Sequence, residues 1–176
     1  MQAELIDTKI YSQLASGAIT LRTAQTSEIQ EILNLFDEEV RAGRMLPRNP
    51  NEVRAHIDDW IVAVEGNQVV GCVSLVFYNG DLCEIRSLAV DPEKRGLGMG
   101  CALVEASLEL ARERNMHRVL TLTRAAHLFE KLGFLRKSIE DFPLKVRRDC
   151  RPCPFRHCCD EVALLYLING EEGDSQ

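Results

Sequence analysis

Leu82-Cys83-Glu84-Ile85-Arg86-Ser87-Leu88-Ala89-Val90, Asp91-Pro92-Glu93-Lys94, Arg95-Gly96-Leu97-Gly98-Met99-Gly100 and Cys101-Ala102-Leu103-Val104 follow one another in the stretch that decides the fold. They read as strand, turn, glycine loop and helix. The first nine residues are an apolar, partly β-branched run. Asp91-Pro92 ends it, because proline has no N–H to give to a ladder. From Cys101 the period becomes helical, with Leu103, Val104, Ser107, Leu108 and Ala111 on one side.

The loop between them is built as an anion cradle. Alternating glycines let consecutive N–H groups turn inward with no side chain in the way. The helix that follows aims its positive end and its unpaired N–H groups at the same point. Arg95 adds a charge at the rim, and a phosphate or pyrophosphate is the natural guest. The plainer alternative is a Gly-rich turn with no ligand. A Walker loop would end in Gly-Lys-Ser/Thr, which is absent. The dinucleotide fingerprint has two residues before its last glycine, where this loop has one.

Arg-x-x-Gly-x-Gly after a strand ending Leu88-Ala89-Val90, with Asp91-Pro92 between, resembles the acetyl-CoA loop of the GNAT acyltransferase superfamily. Thr123-Arg124-Ala125-Ala126-His127-Leu128-Phe129-Glu130-Lys131-Leu132-Gly133-Phe134 resembles that family's later strand-to-helix segment, whose helix commonly ends Lys-Leu-Gly-Phe. The resemblance implies acetyl-CoA as co-substrate, gripped through its pyrophosphate by Arg95, Gly96, Leu97, Gly98, Met99, Gly100 and Cys101. It also implies a bulge in the strand, whose freed backbone at Leu88, Ala89 and Val90 pairs with the pantetheine arm. An N–H near Leu88 would then face the thioester oxygen. Phe129 stands where many relatives carry a tyrosine that protonates the leaving thiolate, beside the cofactor. Having no proton to give, it leaves His127 as the candidate acid.

The 176 residues bound these readings. Hydrophobic residues make up 45% and charged ones 27%, so the chain is globular, and its net charge of -6 argues against nucleic-acid binding. No apolar run has membrane-spanning length, and the start MQAELIDTKI lacks a signal peptide's basic and apolar regions. A cytoplasmic location and small-molecule partners are expected, and a homodimer is compatible with the sequence.

Taken in order, residues 1–18 read as an N-terminal arm, 19–169 as the acetyl-CoA-binding domain and 170–176 as a disordered tail. Strands are predicted at Ile19–Ala24, Trp60–Glu65, Val69–Val76, Leu82–Val90, Arg118–Thr123, Phe134–Lys137 and Glu161–Ile168. Trp60–Glu65 and Val69–Val76 form a hairpin around Gly66-Asn67. Helices are predicted from Ile29 to about Gly43 with Thr26 or Ser27 as cap, over 51–59, from Cys101, and over 125–131. This is an α/β fold: a mixed, mostly antiparallel central sheet of six or seven strands with about four helices on both faces.

Acyl transfer to an amine needs a held thioester, a base and a stabilised oxyanion. Glu84 lies four residues before Leu88, on the same face of an extended strand. It reads either as the base, acting directly or through water, or as a strand carboxylate paired with Arg86. Arg48, framed by Pro47 and Pro50, suits bidentate binding of a carboxylate. Arg136, Lys137, Lys145, Arg147, Arg148, Arg151 and Arg156 cluster in a chain that is otherwise acidic. They read as recognition of an acidic acceptor, a solvated face or a rim for the CoA phosphates.

Leu46-Pro47-Arg48, Glu84 to Val90 and Thr123 to Phe129 resemble, more closely, the acetyltransferase domain of bacterial N-acetylglutamate synthases. That likeness implies transfer of acetyl from acetyl-CoA to glutamate, in the first step of arginine synthesis. It implies that Arg48 grips a substrate carboxylate, that Ser87 lines the acceptor pocket and that Thr123 and Arg124 border it. Lys145 or Arg148 would hold the second carboxylate. The long forms carry an amino-acid-kinase-like domain that senses arginine, for which 176 residues leave no room. Acetylation of a protein N-terminus or another small amine, and a non-catalytic acyl-CoA-binding domain, are the alternatives.

Cys150-x-x-Cys153-x4-Cys158-Cys159, with His157 inside, fits none of this. It reads as structural zinc, as reduced thiols shaping a loop, or as a redox pair. Cys72, Cys83 and Cys101 read as small apolar core residues.

Overall fold

A computed structural model of the protein describes residues 9–14 and 18–170. The chain falls into two compact units, one of residues 1–74 with 87–106 and the other of 75–86 with 107–176. The mixed, mostly antiparallel α/β expectation holds. The described strands number eight rather than six or seven, and the α-helices six rather than about four. The expected arm and tail lie mostly outside the described residues. Within the arm, Ile10–Leu14 is a strand (β1), antiparallel to Ile19–Thr23 (β2).

In the first unit β2 pairs with Trp60–Glu65 (β3), and β3 with the first part of Gln68–Phe77 (β4), all antiparallel. β3 is buried from Trp60 through Val64 on both faces, so it is a continuous apolar run and not an alternating one. The first predicted helix is two, Ile29–Asn34 (α1) and Asp37–Arg41 (α2), broken at Leu35 and Phe36. Its cap also differs from expectation. The Glu28 carboxylate accepts from Gln25 N–H at 2.7 Å and from Arg22, so neither Thr26 nor Ser27 fills that place. Phe36 meets Trp60 edge-on at 6.3 Å, in a core with Ile29, Ile32, Val53, Val62 and Cys72.

Asn49 caps Pro50–Ala55 (α3), accepting from Asn51 N–H at 2.9 Å, with Pro50 where a missing donor costs nothing. Arg48 is therefore the last residue before a fixed helix start.

In the second unit the first half of Leu82–Val90 (β5) runs parallel to Arg118–Thr123 (β6), with Leu82 opposite Arg118 and Ile85 opposite Thr121. β6 is antiparallel to Val162–Leu167 (β8), and β8 to Leu135–Lys137 (β7). Leu82, Leu120, Phe142, Ala163 and Leu165 form one core cluster here. Met99–Glu113 (α4) starts two residues earlier than its period suggested, and Ala126–Lys131 (α5) follows β6. The stretch before β8 holds Pro143–Lys145 (α6) and a π-helical turn, Val146–Cys150, neither of which was predicted. Among the described residues, no helix is long and apolar enough to cross a membrane.

Candidate active site

The glycine loop takes its shape from both of its ends. Asp91 N–H donates to Val70 O at 2.9 Å, and the Asp91 carboxylate accepts from Glu93 N–H, closing the turn that stops β5. Gly71 lets the start of α4 come down on β4. A Cβ there would lie 3.0 Å from Met99 Sδ and 3.1 Å from Leu103 Cδ1. Buried Met99 thus anchors the helix end, while Leu97 in the loop is 67% exposed.

Between these anchors Gly96 and Gly98 have φ of +79° and +81°, and added Cβ atoms would meet nothing within 4 Å. The hollow beside them is open. Ala102 N–H makes the first helical bond, to Gly98 O at 3.0 Å. The N–H groups that start the helix at Met99 belong to a first turn, which has no intrahelical acceptor to offer them. Arg95 Nε donates to Val90 O at 3.1 Å, which keeps its guanidinium at the loop. A diphosphate fits this cradle.

β5 changes character at Ser87. Its pairing with β6 runs only to Ile85, and Ser87 takes φ +54°, a left-handed conformation that side chains other than glycine rarely adopt. Cys72 Sγ, 3.6 Å from Ser87 O, and Arg48 hold it there: Arg48 Nε donates to Ser87 Oγ at 2.9 Å. Leu88, Ala89 and Val90 follow, half-buried. Cys72 and Cys83 are buried as expected, and burial pushes the Cys83 thiol up to about 12.

In the second unit Glu84 is 2% exposed, and its two oxygens are taken. Oε1 accepts from Lys145 Nζ at 2.9 Å. Oε2 accepts from Arg86 Nε at 2.7 Å and stands 2.5 Å from Tyr78 Oη. Asp149 closes the group, 2.7 Å from Tyr78 Oη, 3.5 Å from Lys145 Nζ and paired with Arg86. Arg86 and Lys145, with Arg148 3.2 Å from Asp149, thus face two carboxylates around one phenol. Burial, then Glu84, raises the Tyr78 hydroxyl far above its ordinary value. Burial alone would raise Asp149, but the Tyr78 hydroxyl, Arg86 and Lys145 outweigh it and hold that carboxyl well below the usual range. Lys145, expected as a substrate cation, is bound within this group, and Arg148 lies over the Tyr78 ring at 3.9 Å.

Thr123 Oγ1 accepts from Ala125 N–H at 2.9 Å and turns the chain into α5. Arg124 Nε donates to Asp160 at 2.6 Å, with Glu161 4.0 Å away. Burial raises Glu161, against Arg124 and Lys145. His127 is exposed on α5. Phe129 is buried edge-on against Phe134 at 5.2 Å. The structure therefore joins Arg48 to Ser87 and Glu84 to Lys145. Tyr78 and Asp149, the two further and half-buried members of the group, had no sequence signal. Among the described residues, no three or more His, Cys, Asp or Glu side chains are gathered to hold a metal, so Cys150, Cys153, Cys158 and Cys159 form no ligand set.

Residues 26–134 match the acetyltransferase (GNAT) family. The chain belongs to the GNAT acetyltransferases. Acetyl-CoA, the co-substrate of GNAT enzymes, is the cofactor the cradle fits. An N-acetyltransferase of Chlorobaculum tepidum, described as uncharacterized, is 37% identical over 148 residues, 84% of this chain and 96% of that one. An amino-acid acetyltransferase of Mycobacterium tuberculosis is 36% identical over 118 residues, covering 65% of this chain and 67% of its own. Among solved structures, N-acetylglutamate synthase from Neisseria gonorrhoeae, complexed with coenzyme A and N-acetyl-glutamate, superposes with a TM-score of 0.76 at 25% identity. That match covers 85% of this GNAT chain and 35% of the gonococcal one.

Proposed function

We propose that this GNAT protein transfers the acetyl group of acetyl-CoA to the α-amine of glutamate, as an N-acetylglutamate synthase of arginine biosynthesis. The observation that carries the reading is the Arg48 guanidinium fixed on Ser87, where β5 leaves regular strand geometry. A guanidinium is the side chain best suited to pairing with a carboxylate. The amino-acid acetyltransferase of Mycobacterium tuberculosis and the gonococcal synthase support the acceptor class.

Bound to the cradle, acetyl-CoA supplies an activated acyl thioester. The amides from Gly96 to Cys101 hold its diphosphate, and the backbone of Leu88 to Val90 orients the arm and faces the thioester oxygen. Arg48 and Ser87 seat a substrate carboxylate. Arg148, more exposed than Lys145 although it also pairs with Asp149 at 3.2 Å, is the cation for the second. Thr123 and Arg124 line the acceptor side. Glu84 takes the amine's proton through the Tyr78 hydroxyl, because both of its own oxygens are partnered. His127 returns a proton to the leaving thiolate.

A thiol-release assay with acetyl-CoA against a panel of free amino acids and N-terminal peptides tests the reading. Glutamate should give the highest kcat/KM. Preference for a peptide N-terminus, or tight CoA binding with no turnover on any amine, would overturn it.

A further inference from the structure

Four cysteines in ten residues remain outside the chemistry above. All seven thiols of the chain are free. Cys150 ends the π-helical turn, and Cys153 N–H donates back to Cys150 O at 3.2 Å. That bond closes a four-residue turn through Arg151 and Pro152, and such a turn brings its ends within about 7 Å. Disulfides need Cα atoms about 4.4 to 6.8 Å apart. Cys158 and Cys159, as neighbours, have Cα atoms about 3.8 Å apart, too close for an unstrained bridge. Cys150 and Cys153 are both half-buried, so a small oxidant reaches them.

We infer that Cys150 and Cys153 are a redox-active dithiol, a modification site for peroxides, whose oxidation loosens the buried Glu84–Lys145–Asp149 group. The Cys153 thiolate attacks one peroxide oxygen and becomes a sulfenic acid, releasing the other oxygen as water. The Cys150 sulfur then attacks the sulfenic sulfur, forming the Sγ–Sγ bond and expelling a second water. Two electrons and two protons leave the thiols, and one peroxide becomes two waters. Cys150 suits the resolving role, since burial raises its thiol and the nearby Glu84 and Asp149 charges add to this against Lys145. The coupling follows from sequence adjacency. Asp149, bonded to Tyr78, Arg86 and Lys145, precedes Cys150, so the backbone adjustment a bridge requires falls one residue from it.

The test uses the full chain with one equivalent of hydrogen peroxide, read by mass spectrometry and thermal unfolding and so independent of any acetyl acceptor. The expected result is a loss of about 2 Da, the two thiol hydrogens, mapped to a Cys150–Cys153 crosslink and reversed by dithiothreitol. Tm should fall on oxidation. Cys150→Ser should leave a sulfenic acid on Cys153 that dimedone captures, whereas Cys153→Ser should leave Cys150 unlabelled. The Cys158→Ser/Cys159→Ser double variant should still crosslink. A bridge through Cys158 or Cys159, over-oxidation without a bridge, or no reaction would overturn the dithiol. A Cys150–Cys153 bridge with unchanged Tm would overturn its coupling to the buried group.

Discussion

Arg48 Nε donates to Ser87 Oγ at 2.9 Å across 39 residues of sequence, joining the loop before α3 to the irregular point of β5. The two residues fix each other. The serine's left-handed backbone turns its hydroxyl to the arginine, and the arginine is held with its planar donors spread in one plane.

Arg48→Ala should raise KM for glutamate about 10- to 100-fold, the worth of one or two hydrogen bonds to a charged group. KM for acetyl-CoA should barely move, and Arg48→Lys should recover only part of the loss. Initial-rate kinetics with each substrate varied would decide, and equal effects on both would remove Arg48 from the acceptor side.

Gly98→Val places a branched side chain in the hollow at φ +81°. The backbone strain costs about 1 to 2 kcal/mol, which a domain of this size survives. Circular dichroism should show the fold kept. Titration calorimetry should show CoA affinity reduced at least tenfold, as the loss of one charged amide–phosphate bond implies. Unaltered affinity would refute the cradle.

Glu84→Gln leaves buried Lys145 and half-buried Arg86 with Asp149 as their remaining carboxylate. Removing one partner of a buried pair costs about 3 to 5 kcal/mol, or a Tm fall on the order of 10 °C. The double variant Glu84→Gln/Lys145→Met should cost less than the two single changes summed. Additivity in a thermal-unfolding cycle would mean that the group is not a coupled unit.

Acid should weaken the protein through Asp149. Its folded carboxyl is held below the unfolded value of about 3.9, so its contribution is full above that pH. It is lost as pH falls toward the lower folded value. Glu161 acts in the opposite sense: burial raises it, so its charged form costs stability that acidification returns. Urea midpoints between pH 6 and pH 3 should fall less steeply for Asp149→Asn than for the natural chain. Identical slopes would assign the acid sensitivity elsewhere.

Much of the fold was legible because its signals are local. The β5 strand, the Asp91-Pro92 stop, the glycine loop and the face of α4 each follow from neighbouring residues, and β3 and β4 from a two-residue turn. β1 was missed because Ile10–Leu14 is a short strand of mixed polarity, one whose identity depends on pairing with β2. The stretch 138–161 was missed because it has no period, and a π-helical turn has no sequence pattern of its own. For the candidate site, Arg48, Ser87 and Glu84 could be named one by one, but their partners could not. Tyr78 and Asp149 meet across 71 residues, and no spacing rule reaches that far.

The sequence by itself determined where an anion is held, since glycine spacing and a helix start act within a few residues through backbone geometry. Only the tertiary structure decided which charged side chains are spent on one another. That depends on burial, because a carboxylate and an ammonium out of water must find each other, and the chain order does not say which will be brought close.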